Sequence, residues 1–596
     1  MDTGVKTQAP QQSAQVPVAQ PSLVQLPSKP GVRRDGTSTD SDFFNDTQWC
    51  RFNLSGRPRK MGGFKEASSL LSGPVYGGFL FSRQFLHMFC AFSKHGVEYT
   101  MLDAGGVGSV VSDITPASYV YNENTLWGYD YLFDAASGAD ATLLIAAPTH
   151  TLQNIDDPFL GKVYVTPLNN PAQMTEVADA RALVSGGLFC TAPYTVLLGN
   201  DGNVTWSDAN APQTYSSGDA GSARVTGSKL VKGLPMRTGV SSGGLLWSLD
   251  SVLRMDYVGG AAIFKFSHIS TKSSILSSRS VIEYDGKWYW AGIDRFMVTN
   301  GIQVDELPND MNLNWFYDNL NFEQRQKVFA MKMPRYGEIW WCFPFGDSVE
   351  CNKAVIYNVR LKTWYDVSLS RCWGFTPASY RYPLMLDSLE SRNQRVTLSL
   401  SAGTLQAGFS ITGTTSGAMG FIAAVTESGP YSCLLLTRNS RDFTVGEGFS
   451  CNNGASGIVT AFRNTFSLFT HENGYDAVIG DDQTAIESSF TTCDFGAPTG
   501  GPQLNAVMGA DVNTRIKRVE PDFNMSGPMT MQILSRQFAQ SAENNGKLYT
   551  FEPNTDKIDL REQAREFRLK FSSNSLGGFY EGGKTLVHLE PGDARP

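Results

Sequence analysis

The chain has 596 residues, too many for one compact core and enough for two or three domains. Glycine supplies 58 of them, aromatics 12% and charged residues only 18%, a balance that suits short strands joined by tight turns and argues against a helical protein. The formal net charge of −8 argues against a protein whose business is gripping phosphates, although an acidic wall that repels DNA lets the polymer slide.

Residues 1–40 are mostly Gln, Pro, Ser and Val, a composition that predicts a flexible N-terminal arm. The stretch after it holds Arg51, Arg57, Arg59, Lys60 and Lys65, the most basic spot in the chain. Arg57, Arg59 and Lys60 are candidate contacts to another subunit or a partner; a solvated turn explains them equally well. From 78 to 301, short apolar or aromatic runs alternate with turns and no long helical pattern intervenes, which indicates a sandwich, a barrel or a propeller. Two hairpins carry explicit turn chemistry: Asp201-Gly202 ahead of Trp206, and Asp285-Gly286 ahead of Trp288. The first lies in Leu198-Gly199-Asn200-Asp201-Gly202-Asn203-Val204-Thr205-Trp206, which resembles a degenerate sialidase Asp-box with Leu198 and Asn200 in place of its Ser and Asp. That box is a blade turn remote from sialidase chemistry, so it speaks for a propeller more than for an enzyme.

Helical spacing of Leu313, Phe316, Tyr317 and Leu320 predicts one helix over 311–327, capped by Asn309 or Asp310. Two aromatic strands follow, Glu338–Phe343 and 354–359, then a turn at 360–363 and a third strand opening at Trp364. Trp340 and Trp341 are adjacent and must point to opposite faces of their strand. Trp340, Trp341 and Trp364 are read as structural anchors of one blade, not as a ligand platform. Residues 396–462 are an internal duplication, with Gly408 echoed by Gly446 and Gly417 by Gly454, and are taken as a self-contained β module inserted in a blade loop. Strands resume after 466, and about six more are expected over 515–589. In 558–570 the charge pattern permits a helix, but the alternation of Phe567, Leu569 and Phe571 favours a strand.

The expected architecture is all-β: a propeller over 65–395 and 463–480, the 396–462 module, and a platform built from 41–64 and 481–596. Residues 1–36 lack a charged segment followed by an apolar run, so no secretion signal is expected. No stretch reaches the ~18 to 20 apolar residues of a bilayer crossing, so the chain is expected to be soluble. The nine cysteines are scattered with no Cys-x-x-Cys pair, which predicts buried reduced thiols rather than a zinc site or a disulfide framework. The six histidines show no ligand spacing. No phosphate-binding loop, His-Glu-x-x-His pair or Gly-x-Ser-x-Gly elbow occurs, so no catalytic, metal or cofactor residue is assigned and an enzyme is not expected.

The order Gly-Glu-Ile-Trp-Trp, Val-Ile-Tyr-Asn, Thr-Trp-Tyr-Asp across 337–366 resembles the central blade of the tail nozzle proteins of short-tailed bacteriophages, a group that includes the packaged-DNA stabilisation proteins. The Gly-x-Pro-Arg-Lys-x-Gly-Gly-aromatic stretch at 56–64 is similar to the same family, as is the position of the helix near 311–327. The resemblance covers most of the chain beyond residue 30; the arm and the 396–462 module depart from it. It implies a structural virion protein assembled in the host cytoplasm: a homohexameric nozzle in the virion tail, below the portal and adaptor, that retains the packaged genome and conducts DNA during ejection. Implied partners are the adaptor, tail fibres or spikes, a host surface receptor, and genomic DNA in transient, non-specific contact. The alternative is a carbohydrate-binding or depolymerising propeller of a phage tail fibre, and stoichiometry separates the two.

Overall fold

The computed structural model describes residues 22–592, other than 27, 38–40, 84–85, 109–110, 123, 136–141, 151–160, 181–183, 185, 237–242, 426–430, 437–438, 440, 497–512 and 539. Among these residues one α-helix, Leu313–Asn319, and a few 3₁₀ turns interrupt an otherwise β structure. Between 75 and 368 the chain makes six antiparallel sheets in succession, each of four strands taken in sequence order. Their first strands are Val75–Arg83, Thr125–Phe133, Gly187–Thr191, Leu230–Pro235, Ile282–Tyr284 and Phe329–Met333. A seventh set begins with Trp373–Phe375 and continues with the near half of Leu384–Ala402 and the far half of Ser456–His471. Its fourth strand, Phe64–Leu71, arrives from the N-terminal side and pairs with Ser456–His471.

Each sheet buries a face against the next. Met88 and Phe92 of the first meet Leu144 and Ala146 of the second. Ile145 then meets Leu188 of the third, and Phe189 meets Leu246 of the fourth. Trp247 meets Trp290 of the fifth, and Phe296 meets Trp341 of the sixth. Phe329 lies against Trp373 of the seventh, with ring centroids 5.4 Å apart. Leu384 and Leu468 of the seventh pack on Phe89 and Ala91 of the first, so the series returns to its start. The hairpin chemistry is as the sequence asks: Asp285 and Gly286 have φ of 53° and 72° in a two-residue turn between the paired Tyr284 and Lys287.

Two elements differ from expectation. The helix over 311–327 stops at Asn319, because Leu320 turns extended and bridges to Phe345; 322–327 continues as a 3₁₀ turn. The strand over 558–570 is two, Ile558–Ala564 and Glu566–Ser573, with Arg565 at the corner. The first pairs with Thr514–Glu520 and the second with Met529–Arg536, so the chain changes sheets there while both halves keep facing one core.

That core belongs to a platform of three sheets. One holds Asp46–Gln48, Ser488–Thr491, Glu566–Ser573, Met529–Arg536 and Asn544–Phe551. The second holds Cys50–Phe52, Pro58–Lys60, Phe579–Gly582 and Phe523–Ser526, and the third Ser22–Gln25, Leu586–Pro591, Thr514–Glu520 and Ile558–Ala564. Part of the expected arm therefore has structure: 22–25 and 29–32 are strands with Val24 and Val32 buried, while 1–21 lie outside the described residues.

In the module, the far half of Leu384–Ala402 and the near half of Ser456–His471 pair with each other and with a chain of four further strands, Tyr431–Leu436, Met419–Val425, Ser410–Gly413 and Gly448–Cys451. The two copies repeat in backbone as well as sequence: φ is 93° at Gly408 and 89° at Gly446, 65° at Gly417 and 92° at Gly454. These are left-handed turn positions that favour glycine.

Candidate functional site at the platform joint

The strand Glu338–Phe343 sends alternate side chains to opposite faces, and all six are buried. Trp341 stacks with Trp364 at 5.8 Å and packs tilted on Phe296 at 4.9 Å, and its Nε1 donates to the Ser280 carbonyl. Trp364 packs back on Tyr357 and donates to the Pro308 carbonyl. Trp340 faces the platform core instead and donates to Glu338. Both neighbouring tryptophans are covered: Trp340 is 2% exposed and Trp341 0%. The strand lies between two packed faces.

Glu338 is the centre of the joint. Arg51, from the platform strand Cys50–Phe52, donates Nε to Oε1 at 2.9 Å and Nη2 to Oε2 at 3.2 Å. Trp340 Nε1 and the Tyr365 hydroxyl supply two more donors. Arg51 also donates to Glu472 at 2.7 Å and lies 3.7 Å over the Tyr336 ring. Burial opposes charge on Arg51, but Glu338 and Glu472 outweigh it and hold the guanidinium well above its ordinary value. Burial likewise pushes Glu472 up, and Arg51 overrides it so that the carboxyl sits below its usual range. A bidentate pair with every oxygen engaged is the arrangement in which a buried ion pair is tolerated.

A second clasp lies beside it. Arg34 donates to both oxygens of Asp366, at 2.9 and 3.1 Å, and to Asp46 at 2.7 Å. The Thr363 hydroxyl donates to the Pro30 carbonyl, and Asp35 accepts from the backbone N–H of Asn314 and Trp315. Chain ends and sixth sheet are thus joined by residues the sequence placed in different units. Charged residues inside aromatic strands, Glu338 and Asp366, were the available signal for this joint.

The basic stretch is not one surface cluster. Pro58–Lys60 is a strand, so its side chains alternate: Arg59 lies over Phe579 and near Glu581 at 3.6 Å, while Lys60 is buried. The Lys60 ammonium has no hydrogen-bond partner; burial lowers its pKa, with Asp476 opposing. Of the three candidate contacts only Arg57 and Arg59 reach solvent. The Asp-box-like turn is structural too: Asp201 accepts from the backbone N–H of Asn203, and Trp206 packs on Phe264. All nine cysteines are buried and free, and burial pushes the Cys50 thiol up to about 12. Among the described residues no group of three or more His, Cys, Asp or Glu is placed to hold a metal ion, and no helix is long and apolar enough to cross a membrane.

No family model matches the chain, and no curated protein matches it. Among solved structures, a protein from Bacteroides fragilis described as exported is similar over 55% of this chain and 83% of its own, at 10% identity and a TM-score of 0.27.

Proposed function

We propose that the seven four-stranded sets form a β-propeller seated on the platform, and that the protein is a ring-forming tail nozzle of a short-tailed bacteriophage. The propeller reading is supported by the apolar clusters that run from sheet to sheet and return, and by the N-terminal strand Phe64–Leu71 that completes the seventh set. The nozzle reading is carried by one observation. The two stretches that bear the resemblance, 56–64 and 337–366, lie far apart in sequence and meet at one joint: Arg51 beside Arg59 in the sheet, Gly62 on Glu472, and Arg51 on Glu338.

In this reading the protein has no catalytic role. A homohexamer surrounds the DNA path, contacts the adaptor through the platform, and presents outward surfaces to fibres or spikes and to the host surface. The cavity between the first strands, about 210 Å³, has no room for a duplex, so conduction belongs to the axis between subunits. Six copies multiply the −8 charge of each chain, and lumen-facing carboxylates repel phosphate over about 8 Å at physiological salt. The genome slides and is not gripped.

Mass photometry and negative-stain imaging test the assembly. Particles of six 65.2 kDa chains with a six-fold central opening are expected. A trimer favours the fibre alternative, and a monomer at all concentrations overturns the nozzle. Filter binding to duplex DNA at low salt is expected to give no strong affinity; submicromolar, steeply salt-dependent binding refutes the sliding channel.

A further inference from the structure

The cavity between the first strands is lined by residues of all seven sets. Glycines let the strands come close: a Cβ on Gly233 would lie 2.3 Å from the Phe189 ring, and one on Gly128 would lie 2.8 Å from the Gly187 Cα. Two cationic side chains line this space, Lys232 from the fourth sheet and Arg279 from the segment leading into the fifth.

Neither cation has a carboxylate bonded to it among the described residues. Arg279 is 8% exposed and lies over the rings of Tyr76 and Trp373. Its Nη1 donates to the Tyr76 carbonyl at 2.9 Å and its Nη2 to the Gln326 carbonyl at 2.8 Å. Those bonds engage two of its five N–H groups, and the buried Nε has no partner. Lys232 adds three donors and makes no hydrogen bond or salt bridge among the described residues. The opposite charge acting on Lys232 is Asp130, which accepts from the backbone N–H groups of Cys190 and Tyr131, and the one acting on Arg279 is Glu350, which accepts from Tyr76 and Lys327. Burial lowers the pKa of both cations, and Arg279 lowers that of Lys232 further. The lining carries two cations and no carboxylate, inside a low-dielectric wall where unbalanced charge is costly.

We propose that this cavity binds one small tetrahedral oxyanion, of phosphate or sulfate size, held by Lys232 and Arg279. Four acceptor oxygens and a negative charge are what the donor set lacks. The space is several times the ~30 Å³ share of one water, enough for such an ion with a few waters beside it. Arg279 is bonded to the first sheet and to the 3₁₀ turn at Gln326, and Lys232 belongs to the fourth sheet. A bound oxyanion would therefore tie opposite arcs of the ring together. This site is independent of the nozzle reading.

The test uses the full chain and inorganic phosphate. Equilibrium dialysis is expected to find one phosphate per chain, and Tm is expected to rise with phosphate above its value in chloride of equal ionic strength, as binding to the folded state requires. Phosphate also stabilises proteins non-specifically by exclusion from their surfaces, so Lys232→Met decides between the two. That variant is expected to lose the bound phosphate and the phosphate-specific rise, while Lys232→Arg keeps both. Equal rises in wild type and Lys232→Met overturn the proposal. If neither variant folds, wild-type dialysis alone decides: absence of bound phosphate overturns it.

Discussion

The joint around Glu338 and the module at 396–462 are both built of antiparallel strands, yet opposite means hold them together. The joint draws Arg51, Arg34, Glu338, Asp366 and Glu472 from distant parts of the chain and buries their charges against aromatic rings. The module is local and mostly uncharged. Its two copies repeat the same left-handed glycines, and the copies pair with each other, Ile411 opposite Cys451. A joint of this kind fails when one partner is removed, because the remaining charges have no water to turn to. A module of this kind carries its own core, with Val396, Ile411, Cys433 and Phe449 all buried within it.

The largest effect is expected at the joint. Arg51→Met leaves Glu338 and Glu472 facing each other without their cation, and breaking a buried pair in this way costs ~3 to 5 kcal/mol. Poor soluble yield and a much lower Tm are expected. Adding Glu338→Gln and Glu472→Gln removes the unpaired charges and is expected to recover most of the loss. A single variant that melts like wild type would show that the pair is solvated and not a joint.

The tryptophans come next. Trp341→Ala and Trp364→Ala open the same cluster between the fifth and sixth sheets, while Trp340→Ala opens the platform core. Each is expected to cost ~3 to 5 kcal/mol in denaturant unfolding. Because Trp341 and Trp364 touch, their double variant is expected to fall short of the sum of the singles, whereas Trp340 with Trp364 adds more nearly. Strict additivity of the touching pair counts against a shared cavity.

Removing the module is expected to change little. Arg395 and Arg463 are paired across the two strands at its root, so an Asn-Gly turn between them closes the hairpin in register. The resulting chain without 396–462 is expected to stay soluble with a similar Tm. Aggregation of that deletion would mean that the module supports the seventh sheet. Under the nozzle proposal, a soluble deletion that assembles but no longer supports adsorption to host cells would make the module the receptor-facing part.

The contrast also explains what could be read in the chain. Duplication, glycine spacing and Asp-Gly turns are local signals, so the module and the hairpins were legible from sequence. The alternation at Trp340-Trp341 was legible too, since a strand dictates it. That both faces are covered was not, because the cover on one side comes from the chain's two ends. Lys60 reads as a surface charge until its strand is known, and nothing nearby in sequence marks it as the inward residue. The long strands Leu384–Ala402 and Ser456–His471 run straight from the seventh sheet into the module. A loop insertion predicts two separate pieces, and only the pairing registers show one continuous ribbon.

Two histidines flank the same two regions, and their destabilising effect is absent at neutral pH and appears only on acidification. Burial holds His471, at the joint, well below the ordinary imidazole range, with Arg371 adding to it; Trp49 and Phe64 cover its ring. Burial also lowers His95 to about 4, helped by Arg463 at the root of the module and by Lys94. Each is neutral when folded and takes up a proton more readily when unfolded. The stability they contribute is therefore fully present above the unfolded value near 6.5 and is lost as pH falls toward about 4. Glu472 works in a lower window, since its depressed carboxyl loses stabilisation only below the ordinary carboxylate value of about 4.3. Urea unfolding between pH 7 and pH 4.5 is expected to show stability declining with acid, by at most about 1.4 kcal/mol per pH unit for the fully buried His471 and by less for the partly solvated His95. His471→Gln is expected to flatten most of that slope and His95→Gln the remainder. A slope unchanged in the double variant would place the acid sensitivity elsewhere in the chain.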